Sequence, residues 1–219
     1  MMTKQNSSIS NSLKIRLAWS IFIFVVLGIS VASLFRWTHL KQKENTLPIL
    51  GALKPFEFIE RSEKPFGTQN LKGSVWVADF IFTRCGGPCP IMTLNMGKLQ
   101  EMLTAEGNIK LVSFSVDPEF DSPQVLREYA GRFNAQEGRW FFLTGKPEAI
   151  YAFAQDSFKI VAQKNPDADQ NPAQGILHST HLILVDAEGR VRGYYDGSDA
   201  QVLPKVVRDA KTLLYSGRP

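Results

Sequence analysis

Cys85 and Cys89 are the two cysteines of the chain, and they sit in Phe82-Thr83-Arg84-Cys85-Gly86-Gly87-Pro88-Cys89-Pro90. The pair follows an apolar, β-rich run and opens a segment that reads as a helix. A helix N-terminus presents unpaired N–H groups and a partial positive charge, which favour a thiolate there. Arg84 adds a formal cation next door. Gly86 and Gly87 let the backbone turn with little bulk, and Pro88 and Pro90 suit a first helical turn. At this spacing two sulfurs can lie on one side of the turn, where they can form a disulfide or chelate one metal ion. Two cysteines are too few for a disulfide scaffold or a tetrathiolate zinc site. The strand-end position and the Gly-Gly-Pro insert suit an exposed site better than a core.

Three histidines add imidazole donors. His39 reads as a solvated residue in a polar stretch. His178 and His181 lie in Leu177-His178-Ser179-Thr180-His181, at the entry to a strand. Strand residues three apart point to opposite faces, so only one of the two can face the cysteines. An imidazole within reach of two thiolates makes a Cys2His donor set, which suits copper and also zinc. Thiolates favour Cu(I), whereas imidazole helps to hold Cu(II). Met92 and Met96 carry thioethers that bind Cu(I), but their helical spacing with Leu99 and Leu103 reads as core packing. Asp117 either orients a ligand histidine or caps a loop.

The elements that must position these residues follow from periodicity. FEFIE at 56–60 alternates as a strand, followed by a turn and a short second strand within 61–70. VWVADFIF at 75–82 reads as a buried strand, and a helix follows from about Pro88 to Ala105, stopped by Gly107. IKLVSFSV at 109–116 is the next strand, then a helix over about 122–134, a short strand in 139–145, and a helix from Pro147 to about Ser157. Residues 162–175 are a polar Pro/Gly/Asn-rich loop. THLILVD at 180–186 and RVRGYY at 190–195 form a hairpin, and a last helix covers about 200–214. This order predicts an α/β fold: a thioredoxin-like central sheet flanked by helices, with an added N-terminal β-hairpin.

The N-terminus has a different character. Residues 17–35, LAWSIFIFVVLGISVASLF, are nineteen residues without a formal charge, long enough to cross a bilayer as a helix. The predicted organisation is a cytoplasmic leader over 1–16, a transmembrane anchor over 17–36, a tether over 37–54 and the folded domain over 55–219. A cleaved signal peptide, with Ser30-Val31-Ala32 as its processing site, is the competing reading. No cysteine lies near residues 28–36, which excludes a lipid-anchored cysteine there. The expected location is the cytoplasmic membrane, single pass, with the domain in the periplasm or another extracytoplasmic space. Six of the 25 basic and one of the 21 acidic residues fall in 1–44, leaving 19 against 20 beyond, a net of −1. The folded part is not basic, so charge gives no support for nucleic-acid binding. Hydrophobic residues at 44% and charged residues at 21% exclude a disordered chain and a multi-span membrane protein.

Together these residues resemble the Sco/SenC family of copper-binding, thioredoxin-like proteins that serve cytochrome c oxidase assembly. The resemblance spans roughly residues 50–215. It rests on Phe82-Thr83-Arg84-Cys85 through Cys89-Pro90, on Ser113-Phe114-Ser115-Val116-Asp117-Pro118, and on His178 ahead of the strand ending at Asp186-Ala187-Glu188-Gly189. It implies Cys85, Cys89 and His178 as copper ligands, the His178-to-Gly189 spacing selecting His178 over His181. It also implies a membrane-anchored chaperone that delivers copper to an oxidase copper-site subunit, with a thiol reductant or another copper chaperone as further partners. Two features depart from the family pattern: Leu177 stands where many members carry Asp, and Gly86-Gly87-Pro88 replaces bulkier, more polar residues. The alternative function is a thiol–disulfide oxidoreductase, with Cys85 attacking and Cys89 resolving through a Cys85–Cys89 disulfide. Such oxidoreductases carry a proline beside the dithiol in the loop before the later strand. No proline occurs here between Pro172 and Pro204.

Overall fold

The structure, a computed structural model, describes residues 16, 19–33, 35–36, 47–160, 163–164, 176–177 and 179–216. The chain divides into two units, Met1–Thr46 and Leu47–Pro219. In the first, residues 19–33 and 35–36 are helical and exposed. Among the described residues no helix is long and apolar enough to cross a membrane. Residues 17, 18 and 34 of the expected anchor, and 37–46 of the expected tether with His39, lie outside the described residues.

The second unit is built on one eight-stranded sheet. Its strands are β1 (Gly51–Ala52), β2 (Glu57–Glu60), β3 (Pro65–Gly67), β4 (Val75–Ile81), β5 (Ile109–Ser115), β6 (Trp140–Thr144), β9 (His181–Val185) and β10 (Arg190–Asp196). Two more strands, β7 (Gln163–Lys164) and β8 (Ile176–Leu177), pair with each other. The spatial order is β1-β10-β9-β4-β5-β6-β2-β3. β4, β5 and β6 are parallel, β9 runs antiparallel to β4, and β9–β10 is the expected hairpin. β2 and β3 form the added hairpin, which joins the sheet through β6. The helices are α1 (Thr68–Leu71), α2 (Cys89–Met102), α3 (Pro123–Arg132), α4 (Pro147–Phe158) and α5 (Leu203–Ser216). This is a thioredoxin-like sheet flanked by helices, as the element order predicts.

β4 is buried at every residue because it lies inside the sheet with both faces covered, which explains its unbroken apolar run. Alternation divides its side chains between the faces. Trp76 and Phe80 meet Phe114 and Phe158, in an aromatic cluster that also takes in Phe56 and Phe153. Val77, Asp79 and Ile81 point to the opposite face, which α2 covers with Met92, Met96 and Leu99, followed by Leu103 at its C-cap, all buried. The two methionines are therefore core residues.

Two residues of the stretch read as tether belong to the sheet: β1 pairs with the start of β10. Arg192 fixes the approach. Its Nε donates to the Pro48 carbonyl at 3.0 Å, another guanidinium N–H reaches the Leu47 carbonyl, and Nη1 lies 2.7 Å from Asp186 Oδ2. Arg190 holds the same Asp186 carboxylate at 2.8 Å, and that cluster keeps its pKa below the usual carboxylate range despite partial burial.

Candidate metal centre

β4 delivers the chain to the cysteine segment, and a network of buried carboxylates fixes how it leaves the strand. Asp121, fully buried, accepts from the Thr83 N–H at 3.1 Å, from the Thr83 hydroxyl, and from the Ser115 hydroxyl at 2.6 Å. Two neighbouring strand ends thus converge on one carboxylate, two residues ahead of Cys85. Asp121→Ala leaves those donors buried without an acceptor, and the expected loss is at least about 2 kcal/mol. Chemical denaturation of the reduced, metal-free protein measures it, and a loss under about 0.5 kcal/mol would place it with ordinary surface substitutions.

Arg84 is not the lone cation that the sequence suggests. Its Nε lies 2.5 Å from Asp117 Oδ2, its Nη2 donates to Oδ1 at 3.2 Å, and its guanidinium stacks 4.9 Å from the Phe120 ring centroid. Its charge is therefore largely matched by Asp117, which holds the guanidinium pKa above its ordinary value. Asp117 serves this ion pair; among the described residues no histidine shares it.

The Cys85 N–H closes a turn onto the Phe82 carbonyl at 3.2 Å, and the Gly87 N–H points at Cys85 Sγ from 3.4 Å. α2 then starts at Cys89 with Pro88 as its N-cap. Neither cysteine is in a disulfide. The expectation of an exposed pair does not hold: Cys85 is 8% exposed and Cys89 is 0% exposed. Nor is the Cys89 thiolate favoured. Burial pushes its thiol above the ordinary cysteine range, the Cys85 thiol and the Asp79 carboxyl push the same way, and a backbone hydrogen bond at Phe82 opposes them. Desolvation at this buried position is the largest of these effects.

Strand periodicity alone does not single out Asp79. It is 0% exposed, and among the described residues neither carboxyl oxygen has a hydrogen-bond partner. Ser113 lies opposite it in the parallel β4–β5 pair, and the Ser113 hydroxyl accepts from the Trp140 indole N–H at 2.9 Å. Burial pushes the Asp79 carboxyl up to about 7. The readable signal was a single carboxylate inside VWVADFIF.

His181 is at the surface, its Nδ1 2.5 Å from Ser179 Oγ and its ring edge-on to Tyr194. His178 lies outside the described residues, and among those described no group of three His, Cys, Asp or Glu side chains can hold a metal ion. The structure thus brings Cys85 and Cys89 together. Two adjacent thiols fit a soft cation such as Cu(I).

A family model described as SCO1/SenC matches residues 50–213. The "SCO1 protein homolog" of Bacillus subtilis (strain 168) is 36% identical over 167 residues, covering 75% of this chain and 84% of that protein. Among solved structures, BsSco is described as a member of the Sco family of cytochrome c oxidase assembly proteins with a disulfide switch. It superposes with a TM-score of 0.69 at 34% identity, over 78% of this chain and 98% of its own. Copper-bound ScoI of Arabidopsis thaliana superposes with a TM-score of 0.61 at 26% identity, over 74% of this chain and 98% of its own.

Proposed function

This chain belongs to the SCO1/SenC family, and from that premise we propose that it is a copper chaperone of cytochrome c oxidase assembly. It binds one copper ion through Cys85, Cys89 and His178 and passes it by ligand exchange to the copper site of an oxidase subunit. The observation that carries this reading is the junction of β4 and α2, where two reduced thiols stand side by side in a water-poor setting. Thiolates suit Cu(I) and an added imidazole suits Cu(II), so the set can hold both oxidation states. Because Cys89 is held as a thiol, metal binding there displaces a proton. Residues 17–36 anchor the chain in the cytoplasmic membrane, and the domain works on the extracytoplasmic side, where its partners are the oxidase subunit and a thiol reductant or copper donor.

The test uses the full chain, reduced and loaded with copper under anaerobic conditions. One copper per chain is expected in the wild type, with retention lost in Cys85→Ser and weakened in His178→Ala. Full retention in both variants would overturn the ligand set.

Thiol–disulfide exchange is the second reading, favoured by the greater accessibility of Cys85. The Cys85 thiolate attacks a partner disulfide and releases one partner thiolate. Cys89 then loses its proton and attacks the mixed disulfide, releasing the second partner thiol and leaving a Cys85–Cys89 disulfide. The buried, high-pKa Cys89 thiol slows that second step. A wild type that retains no copper but reduces a model disulfide would favour this reading.

A further inference from the structure

A cavity lies between the β2–β3 turn, α3 and the loop that leads from α3 into β6, and a buried cation opens onto it. Arg61, just past β2, is 6% exposed. Its backbone N–H donates to the Phe142 carbonyl at 2.9 Å, and its guanidinium carbon lies 5.3 Å from the Phe142 ring centroid. Among the described residues the guanidinium donates one hydrogen bond, from Nη2 to the Ala135 carbonyl at 3.2 Å. Its ion-pair partner, Glu60 Oε1, stands off at 3.5 Å from Nε, and Glu60 Oε2 is taken by the Ser62 N–H at 2.6 Å. A guanidinium is a planar fork of N–H donors, and arginine is almost never buried without matching acceptors. Most of the Arg61 fork lacks them within the fold. Burial pushes its pKa below the ordinary value, Glu60 and Glu137 oppose that, and Arg127 adds to it.

Arg127 of α3 reaches the same space. Its Nη2 donates to the Arg61 carbonyl at 2.9 Å and lies 3.1 Å from Glu63 Oε1. With Arg61, Ser62 and Lys64 it lines a cavity of about 260 Å³, which Glu137 also borders. We infer that this cavity is a phosphate-binding site, in which the anion supplies the acceptors that Arg61 lacks and is shared with Arg127, Lys64 and the Ser62 hydroxyl. Phosphate presents acceptors in three dimensions and more charge than a carboxylate, which suits cations arriving from both a turn and a helix. The space admits a phosphate group with a small substituent and otherwise holds water. Arg61, pinned to the β6 backbone, supplies orientation, whereas the exposed Arg127 and Lys64 supply attraction. Glu137, exposed at the rim, works against an anion and limits its affinity. A soluble phosphate and the headgroup of an anionic lipid offer the same chemistry. The cavity shares no residue with the cysteine segment, so this inference stands apart from the copper reading.

The experiment is a calorimetric titration of the full chain, reduced and metal-free in non-ionic detergent, with inorganic phosphate at constant ionic strength. Saturable binding is expected in the wild type. Arg127→Ala should weaken it about tenfold or more, the scale of a lost charge-assisted contact. Lys64→Ala should weaken it about threefold, and Glu137→Gln should strengthen it by a similar factor. Arg208→Ala, which removes an exposed cation of α5 outside the cavity, should change nothing. Dihexanoyl phosphatidic acid separates the two sources. Binding tighter than that of phosphate, with the gain removed by Arg127→Ala, assigns the site to a lipid headgroup; equal or weaker binding assigns it to a soluble phosphate. No saturable binding of either probe, equal losses in Arg127→Ala and Arg208→Ala, or weaker binding in Glu137→Gln would overturn the inference.

Discussion

Asp79→Asn should make the reduced, metal-free protein more stable at pH 8, with the pH-dependent part of the gain reaching about 4 kcal/mol at full ionisation. Burial holds the Asp79 carboxyl at about 7 in the folded chain, against an ordinary value of 3.8. A folded-state pKa above the unfolded one means that the native protein binds the extra proton. Stability is then greatest below the unfolded pKa and falls as pH rises through the folded one. Asparagine keeps the shape and removes the titration. The stability gap between variant and wild type should therefore widen by about 2–3 kcal/mol between pH 5 and pH 8. Urea denaturation of both proteins across that range measures it, and parallel pH profiles would show that Asp79 ionises in the fold at no cost.

Alkylation should separate the two cysteines by at least about a hundredfold in rate at pH 8, Cys85 reacting and Cys89 resisting, since only the thiolate is nucleophilic. Cys89 is sealed from solvent and burial holds its thiol above the ordinary range. Each pKa unit of that rise removes about nine-tenths of the thiolate present at a pH well below the pKa. Iodoacetamide labelling of the reduced, metal-free chain, followed by peptide mass mapping with time, gives both rates. Comparable rates would mean that the segment from Cys85 to Pro88 opens readily, and that the buried geometry is not what reagents meet.

Sequence periodicity made most of the sheet legible. VWVADFI at β4 and IKLVSFS at β5 read as strands because their burial is set by local pattern. The β9–β10 hairpin followed from its turn, and the methionines of α2 from their helical spacing. What escaped depends on distant partners. β1 is only two residues long and exists because the start of β10, far along the chain, offers an edge. Arg84 looked like a free cation because its partner, Asp117, lies beyond a helix and a strand. The cysteine pair was found by spacing and position, but its burial was not: Gly-Gly-Pro suggests openness, and only the packed chain shows how little of Cys89 reaches water. Asn95 carried a readable hint, a polar residue among the buried positions of α2, although its hydrogen bond to the Gly197 carbonyl needed the chain beyond β10 to be placed beside it.

The clasp of Arg192 on Leu47 and Pro48 has a mechanical consequence. Tension on the chain ahead of Leu47 enters the sheet at the β1–β10 edge and at the knot of Arg192, Asp186 and Arg190. That is the Val191 end of β10, and the Gly197 turn follows the Asp196 end, about 17 Å along the strand. A tug would first peel a two-residue edge strand and strip a guanidinium from two carbonyls. The chain thus enters the sheet at an edge about one strand length away from the Gly197 turn.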